Sequence, residues 1–305
     1  MEPQVSVVIP CFNAARWIRG CVESALAQSG VSVEVIVADD GSTDGSREIL
    51  REFGNTIRLL ETPHRGAPCA RNAGLAVAQS EWVQFLDADD ALTPDKLARQ
   101  FAEGNGGTLA DVLYGPVLIE EEGHRRPSDL NAELDLFAQW FAWHLPQTGG
   151  GLWRRTALAA LGGWKESQPC CQDHELYLRA MQAGLRFVFT PSPGAIYRVW
   201  SDETLCRKDP RLVVLEKTQL FNRARAWLTE RGRWTARHAR IAGQASFEMA
   251  RTLAKVDLAE ATAYHAEQRA AGLIALAGPA APPLYRACYH LFGFAGSERI
   301  ARILR

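Results

Sequence analysis

Residues 70–90 read Ala-Arg-Asn-Ala-Gly-Leu-Ala-Val-Ala-Gln-Ser-Glu-Trp-Val-Gln-Phe-Leu-Asp-Ala-Asp-Asp. The pattern predicts a helix, a short turn, and a strand from Trp82 to Leu86 that ends on Asp87, Asp89 and Asp90. An apolar strand that delivers acids to its carboxyl end places them at the crevice where α/β sheets bind ligands. Carboxylates one residue apart repel unless a cation lies between them, which points to a hard divalent ion such as Mg²⁺ or Mn²⁺ completed by phosphate oxygens. A plainer reading has Asp89 and Asp90 capping a helix that starts near Pro94. This stretch alone leaves both open.

Upstream, Val5-Ser-Val-Val-Ile9 is a β-branched run suited to a strand buried on both faces. It stops at Pro10-Cys-Phe-Asn13, and Asn13 is a candidate N-cap for a helix to about Ser29. Val33 to Ala38 is a second strand, followed by Asp39-Asp40-Gly-Ser-Thr-Asp-Gly-Ser46. There Thr43 or Asp44 is the expected cap of a helix through Phe53. Ile57 to Leu60 reads as a third strand and Gly66 to Gln79 as a helix carrying Arg71. Strands alternating with helices predict a doubly wound, mainly parallel sheet with polar loops converging on one crevice.

Downstream, Asp111 to Gly115 is a candidate strand, 116–133 a loop, and Leu134 to His144 an aromatic-rich helix or lid. Gly149-Gly-Gly151 allows close backbone approach, and Leu152 to Arg155 returns to the sheet. Thr156 to Leu161 and Gln172 to Gly184 read as helices, and Arg186–Thr190 and Ala195–Trp200 as short strands. Beyond about Lys208 only helical patterns remain. The expected division is a nucleotide-binding α/β domain over 1–207 and a helical appendage over 208–305.

Composition narrows the classes. The 305 residues are 47% hydrophobic and 23% charged with a formal net charge of −1, which excludes a surface broadly basic enough for nucleic acid. Seven cysteines without repeated spacing suggest reduced thiols in a cytoplasmic protein. The amino terminus is expected to carry no targeting segment. Ala270 to Leu284 is too interrupted by glycine and proline to span a bilayer.

Five stretches in order carry a resemblance: Val-Ser-Val-Val-Ile-Pro-Cys-Phe-Asn (5–13), Val-Ala-Asp-Asp-Gly-Ser-Thr-Asp-Gly-Ser (37–46), Ala-Arg-Asn-Ala-Gly-Leu (70–75), Phe-Leu-Asp-Ala-Asp-Asp (85–90) and Gln-Asp-His-Glu-Leu-Tyr-Leu-Arg (172–179). Together they resemble the family 2 glycosyltransferases of the GT-A fold, over roughly the first two-thirds of the chain. The resemblance implies inverting transfer of a sugar from a nucleoside-diphosphate sugar to a glycan or lipid-linked acceptor, in cell-surface polysaccharide synthesis.

It also implies roles. Pro10 and Phe12 would line the base pocket, Asp40 would meet the base or ribose, and Arg71 the nucleotide. Asp89 would coordinate the metal, Mg²⁺ or Mn²⁺, and Asp87 would touch ribose or the metal through water. Asp173 would be the catalytic base. Each has a plainer alternative: Phe12 in the core, Asp40 in a turn, Arg71 as a solvated charge, Asp173 as a helix cap. Trp153 and Trp164 read either as acceptor-side platforms or as core.

Two departures stand out. Gln172 occupies a position where the family more often has Glu, and Trp200 stands where many relatives have a His two residues after an Arg, here Arg198. A sugar nucleotidyltransferase or a dehydrogenase would need a Gly-rich phosphate loop at 10–13, and Pro-Cys-Phe-Asn is not one. A nucleotide-sugar-binding protein without activity is the remaining alternative. The tail from Ala281 to Arg305 mixes Leu291, Phe292 and Ile303 with Arg286, Arg299, Arg302 and Arg305. It suits a membrane surface at the inner face, a terminal helix packed on the core, or a homodimer contact.

Overall fold

Two β-branched runs, Val5–Cys11 and Val33–Asp40, lie near the centre of the sheet, and the computed structural model describes residues 4–130, 134–200 and 209–303. In chain order the first half contains β1 (Val5–Cys11), α1 (Ile18–Leu26), β2 (Val33–Asp40), α2 (Ser46–Arg51), β3 (Arg58–Thr62), α3 (Ala67–Val77), β4 (Trp82–Phe85), β5 (Ala91–Leu92) and α4 (Lys96–Glu103). There follow β6 (Val112–Tyr114), β7 (Leu118–Glu121), β8 (His124–Pro127), α5 (Leu136–Phe141), β9 (Gly151–Arg154), α6 (Arg155–Ala160), α7 (Gln172–Gln182), β10 (Phe187–Phe189) and β11 (Ala195–Val199). Four further helices, Pro210–Glu230, Ala236–Val256, Leu258–Ala270 and Pro283–Ile303, complete the chain. Two compact units result: residues 1–130 with 145–201, and residues 131–144 with 202–305. The expected boundary near 207 falls among 201–208, outside the described residues.

The main sheet of the first unit runs β10-β6-β9-β4-β1-β2-β3. All its pairs are parallel except those of β9, which is antiparallel to both neighbours. The mainly parallel, doubly wound expectation is met. Every residue of β1 is buried, as its β-branched run requires. α3 packs so closely that a Cβ on Gly74 would lie 2.4 Å from Val8 Cγ1, so only glycine fits there.

Three local expectations need correction. Asn13 does not cap α1; it sits at φ 50° and its Oδ1 accepts the Thr43 amide at 2.8 Å, so it ties the first loop to the second. Neither Thr43 nor Asp44 is the N-cap of α2, which is Gly45, although Asp44 Oδ1 accepts from the Ser46 amide at 3.1 Å. Residues 116–133 contain a hairpin rather than a plain loop. β7 and β8 pair antiparallel in a second sheet ordered β5-β11-β7-β8. Glu122 and Gly123 both take positive φ, 51° and 81°, as a tight hairpin turn demands, and Glu gives little sequence signal for it.

In the helical unit the aromatic run becomes α5. Phe141 meets Trp140, Phe221 and Trp234 edge to face or nearly so. His238 Nε2 lies 3.1 Å from Asp135 Oδ1, and the Thr235 hydroxyl accepts the His238 amide at 3.2 Å, which fixes the start of the Ala236–Val256 helix. Further along, buried Glu298 receives Arg251 at 2.7 Å and the Tyr285 hydroxyl at 2.8 Å.

Candidate active site

β4 delivers three carboxylates, and the fold treats them differently. Asp90 is buried and accepts the backbone N–H of Arg198 at 2.9 Å, so it joins the strand end to β11. Asp89 turns one oxygen to the Trp200 indole N–H at 2.8 Å, while its carbonyl accepts from Arg198 Nη1 at 3.0 Å. Asp87 is held by Arg71 Nη2 at 2.6 Å. Burial, then the neighbouring Asp87 charge, pushes the Asp89 carboxyl above its usual range. Asp90 is raised further by burial and by both of its neighbours. Neither Asp89 nor Asp90 caps α4, whose N-cap is Asp95.

Arg71 is not a solvated charge. It is 5% exposed, lies over the Trp164 ring at 4.4 Å, and gives Nη1 to Gln172 Oε1 at 2.9 Å. One guanidinium thus joins α3, β4 and the start of α7 in a fork that only arginine supplies. Gln172 is neutral, so the Arg71 charge is met by the nearby acids Asp87 and Asp173, with Asp89 adding to them.

Asp173 is not a cap either. The N-cap of α7 is Cys171, at φ 55°, and Asp173 Oδ1 instead accepts the Thr148 hydroxyl at 2.9 Å. Burial pushes its carboxyl up to about 6; Asp87 adds to this, while Arg71 and Thr148 oppose it. A carboxylate near that value is ionised at neutral pH yet basic enough to take a proton.

The first loops build a third corner. Phe12 is 45% exposed, which removes the core reading, and stacks on His64 with ring centroids 4.0 Å apart. Pro10 beside it is buried within β1. Asp40 is buried, and its two oxygens accept the amides of Arg65 and Gly66, each at 2.8 Å. His64 Nδ1 adds a contact at 2.9 Å to the same carboxylate. Asp40 therefore organises residues 64–66, the turn that presents His64 to Phe12.

Sequence reasoning missed His64 and Thr148, which carry no motif. Trp153 is core, packed on Tyr177 at 5.1 Å, and Trp164 is the buried floor under Arg71. Among the described residues no group of three or more His, Cys, Asp or Glu is arranged around a metal position. The acids at the end of β4 form an oxygen-only set of crowded carboxylates, which suits a hard divalent ion that shares its remaining positions with phosphate and water. Trp200 cannot ligate a metal, since its indole offers only a donor.

Comparison with known proteins bears on the fold and the family. The chain is similar to the chondroitin synthase of Pasteurella multocida (strain Pm70), 41% identical over 192 residues, which is 60% of this chain but 19% of that relative. In structure it is similar to S. aureus TarS in complex with UDP-GlcNAc, with a TM-score of 0.57, 17% identity, and coverage of 87% of this chain and 88% of that one. It is likewise similar to the mannosyltransferase PcManGT from Pyrobaculum calidifontis in complex with GDP-Man and Mn²⁺, with a TM-score of 0.59, 19% identity, and coverage of 100% and 87%. Those two likenesses establish the GT-A fold. The family profile described as glycosyl transferase family 2 matches residues 6–160, just over half of the chain, and the protein belongs to that family.

Proposed function

We propose that the protein is an inverting, metal-dependent glycosyltransferase that moves a sugar from a nucleoside-diphosphate sugar to an acceptor hydroxyl in polysaccharide synthesis. The observation that carries this reading is the Arg71 fork, which holds Asp87 of the acidic strand end and neighbours Asp173, raised to about 6. An acid set for phosphate and metal thus shares one cation with an acid set for proton removal. UDP-GlcNAc on TarS and GDP-Man with Mn²⁺ on PcManGT agree with a donor and ion of this class.

The residues divide the work as follows. Phe12 offers an exposed ring for a nucleobase, in place of or beside His64. Asp89, with Asp87 near it, would hold Mg²⁺ or Mn²⁺, which when bound neutralises charge developing on the leaving diphosphate. Asp173 takes the proton of the acceptor hydroxyl as that oxygen attacks the anomeric carbon. The new carbon–oxygen bond forms on the face opposite the breaking bond to the diphosphate, so configuration inverts, and the nucleoside diphosphate leaves. Gln172 binds Arg71 without adding a further negative charge beside Asp87 and Asp173.

Incubation with a panel of nucleoside-diphosphate sugars and glycan acceptors, with Mn²⁺, Mg²⁺ or chelator, tests this reading. The expected result is metal-dependent diphosphate release with a product of inverted anomeric configuration by NMR. Retained configuration, or full activity in chelator, overturns the corresponding part.

For location, we propose a cytoplasmic protein that touches an anionic membrane surface through its last helix. No helix of the described residues is long and apolar enough to cross a membrane. Leu284, Leu291 and Phe292 are 70%, 75% and 59% exposed. Arg286 is exposed beside them, and beyond the break at Gly293 (φ 66°) Arg299 is exposed and the acid Glu298 is buried. Exposed apolar side chains among cations are the pattern of an interfacial helix; Arg305 lies outside the described residues. Flotation with phosphatidylglycerol vesicles is expected for the full chain and lost on Leu291→Asp with Phe292→Asp. Self-association without flotation would assign the patch to a homodimer instead.

A further inference from the structure

The sheet domain buries a lysine and two glutamines that the proposed chemistry does not use. Gln84 of β4 is fully buried, Gln100 of α4 is 6% exposed and Lys96 is 3% exposed. Burial of such groups is costly unless each finds a partner. Lys96 Nζ donates to Gln84 Oε1, and burial pushes the ammonium down to about 7. Gln84 Nε2 in turn donates to the carbonyl of Gly149 at 3.0 Å. Gln100 Nε2 donates to the carbonyl of Gly150 at 3.2 Å. From opposite elements, both amides end on one short turn, Thr148–Gly150.

That turn is packed too closely for side chains at its two glycines. A Cβ on Gly149 would lie 2.8 Å from Ala195 Cβ, and one on Gly150 would lie 2.5 Å from Pro146 Cβ and 2.7 Å from the Gly115 carbonyl. The glycine run at 149–151 therefore lets backbone approach backbone, as its composition suggests. The first residue of the turn is Thr148, 5% exposed, whose hydroxyl donates to Asp173 Oδ1 at 2.9 Å.

We infer that Thr148 is a positioning residue for the base Asp173, and that Gln84 and Gln100, with Lys96 behind Gln84, hold Thr148 in place from within the sheet. This rests on Asp173 being the base. A hydroxyl bound to one carboxylate oxygen fixes the rotation of the whole group. A general base must lie within hydrogen-bond reach of the proton that it removes, and small misplacements cost large factors in rate. The other candidate partner of Asp173, Arg71, is shared with Asp87 and Gln172 and sets charge more than rotation.

Thr148→Val keeps the shape and removes the hydroxyl; Thr148→Ser keeps the hydroxyl. With the donor and acceptor that the wild type uses, Thr148→Val is expected to lower kcat about tenfold, while Thr148→Ser stays within about twofold of wild type. Donor affinity by calorimetry and donor KM are expected to stay unchanged in both. Gln84→Met is expected to lower kcat in the same direction with donor affinity kept. Wild-type kcat in Thr148→Val, or equal losses in the Val and Ser variants, overturns the inference. Asp173→Asn, measured beside them, separates the two claims: wild-type transfer by that variant removes the base itself, whereas its inactivity beside an active Thr148→Val removes only the positioning role.

Discussion

Asp89 and Asp173 are both carboxyls lifted above their usual range by burial, yet their surroundings differ. Asp89 sits in a row of acids, and Asp87 adds repulsion that a single indole N–H and the Arg198 charge only partly offset. Asp173, in the first turn of α7, has Arg71 and the Thr148 hydroxyl to oppose the cost of burial. In the first environment the positive charge leaves the acids under-compensated, which favours a cation from outside. The second is balanced within the protein and leaves a carboxylate poised to accept a proton. On the proposed reading, neighbours alone fit the same side chain to two tasks.

The largest expected effect comes from removing the proposed base. Asp173→Asn keeps the size and loses the base, and kcat is expected to fall by roughly 10²–10⁴-fold. Asp89→Ala is expected to cost several kcal/mol of transition-state stabilisation, about a hundredfold or more, and to abolish the response to added Mn²⁺. Steady-state rates at several Mn²⁺ concentrations check both.

A pH profile sharpens the comparison further. As the proposed base, Asp173 works only when ionised, so kcat is expected to fall as the pH drops through about 6. Stability runs the other way. The folded carboxyl holds its proton up to about 6 and the unfolded one releases it near 3.8, so this group's contribution to stability declines as pH rises between those values. Asp173→Asn is therefore expected to melt higher than wild type above pH 6 and to lose that advantage near pH 4. A lower Tm for the variant at neutral pH would place the cost of burial elsewhere.

The smallest expected effect concerns Trp200. Its indole N–H opposes the upward shift of Asp89, so Trp200→Phe raises that carboxyl further. Protons then compete better with the metal. The Mn²⁺ concentration for half-activation is expected to rise a few-fold below neutral pH, by roughly the value of one hydrogen bond.

Strands β1 to β4 and the acidic strand end were legible because each rests on a local pattern. β1 and β2 are continuous β-branched runs, and the acids of β4 follow an apolar strand. The turn at Glu122-Gly123 was not, since Glu at positive φ is favoured by the pairing of β7 with β8 and not by its own preference. Among the site residues, Asp87, Asp89 and Asp173 carry motifs, whereas His64 and Thr148 reach the site through contacts 52 and 25 residues away along the chain, with Phe12 and Asp173. No local spacing encodes those. Arg71 is the intermediate case. Its motif suggested a nucleotide contact, and folding shows why the position needs a fork: three elements meet at one guanidinium.

Calorimetric titration of the donor nucleotide sugar into Asp173→Asn and Asp89→Ala, each with and without Mn²⁺, tests the division of labour most directly. The account predicts that Asp173→Asn binds donor with wild-type affinity and keeps its dependence on Mn²⁺, while Asp89→Ala binds weakly and gains nothing from the ion. Loss of donor binding in Asp173→Asn together with intact, Mn²⁺-dependent binding in Asp89→Ala would contradict it.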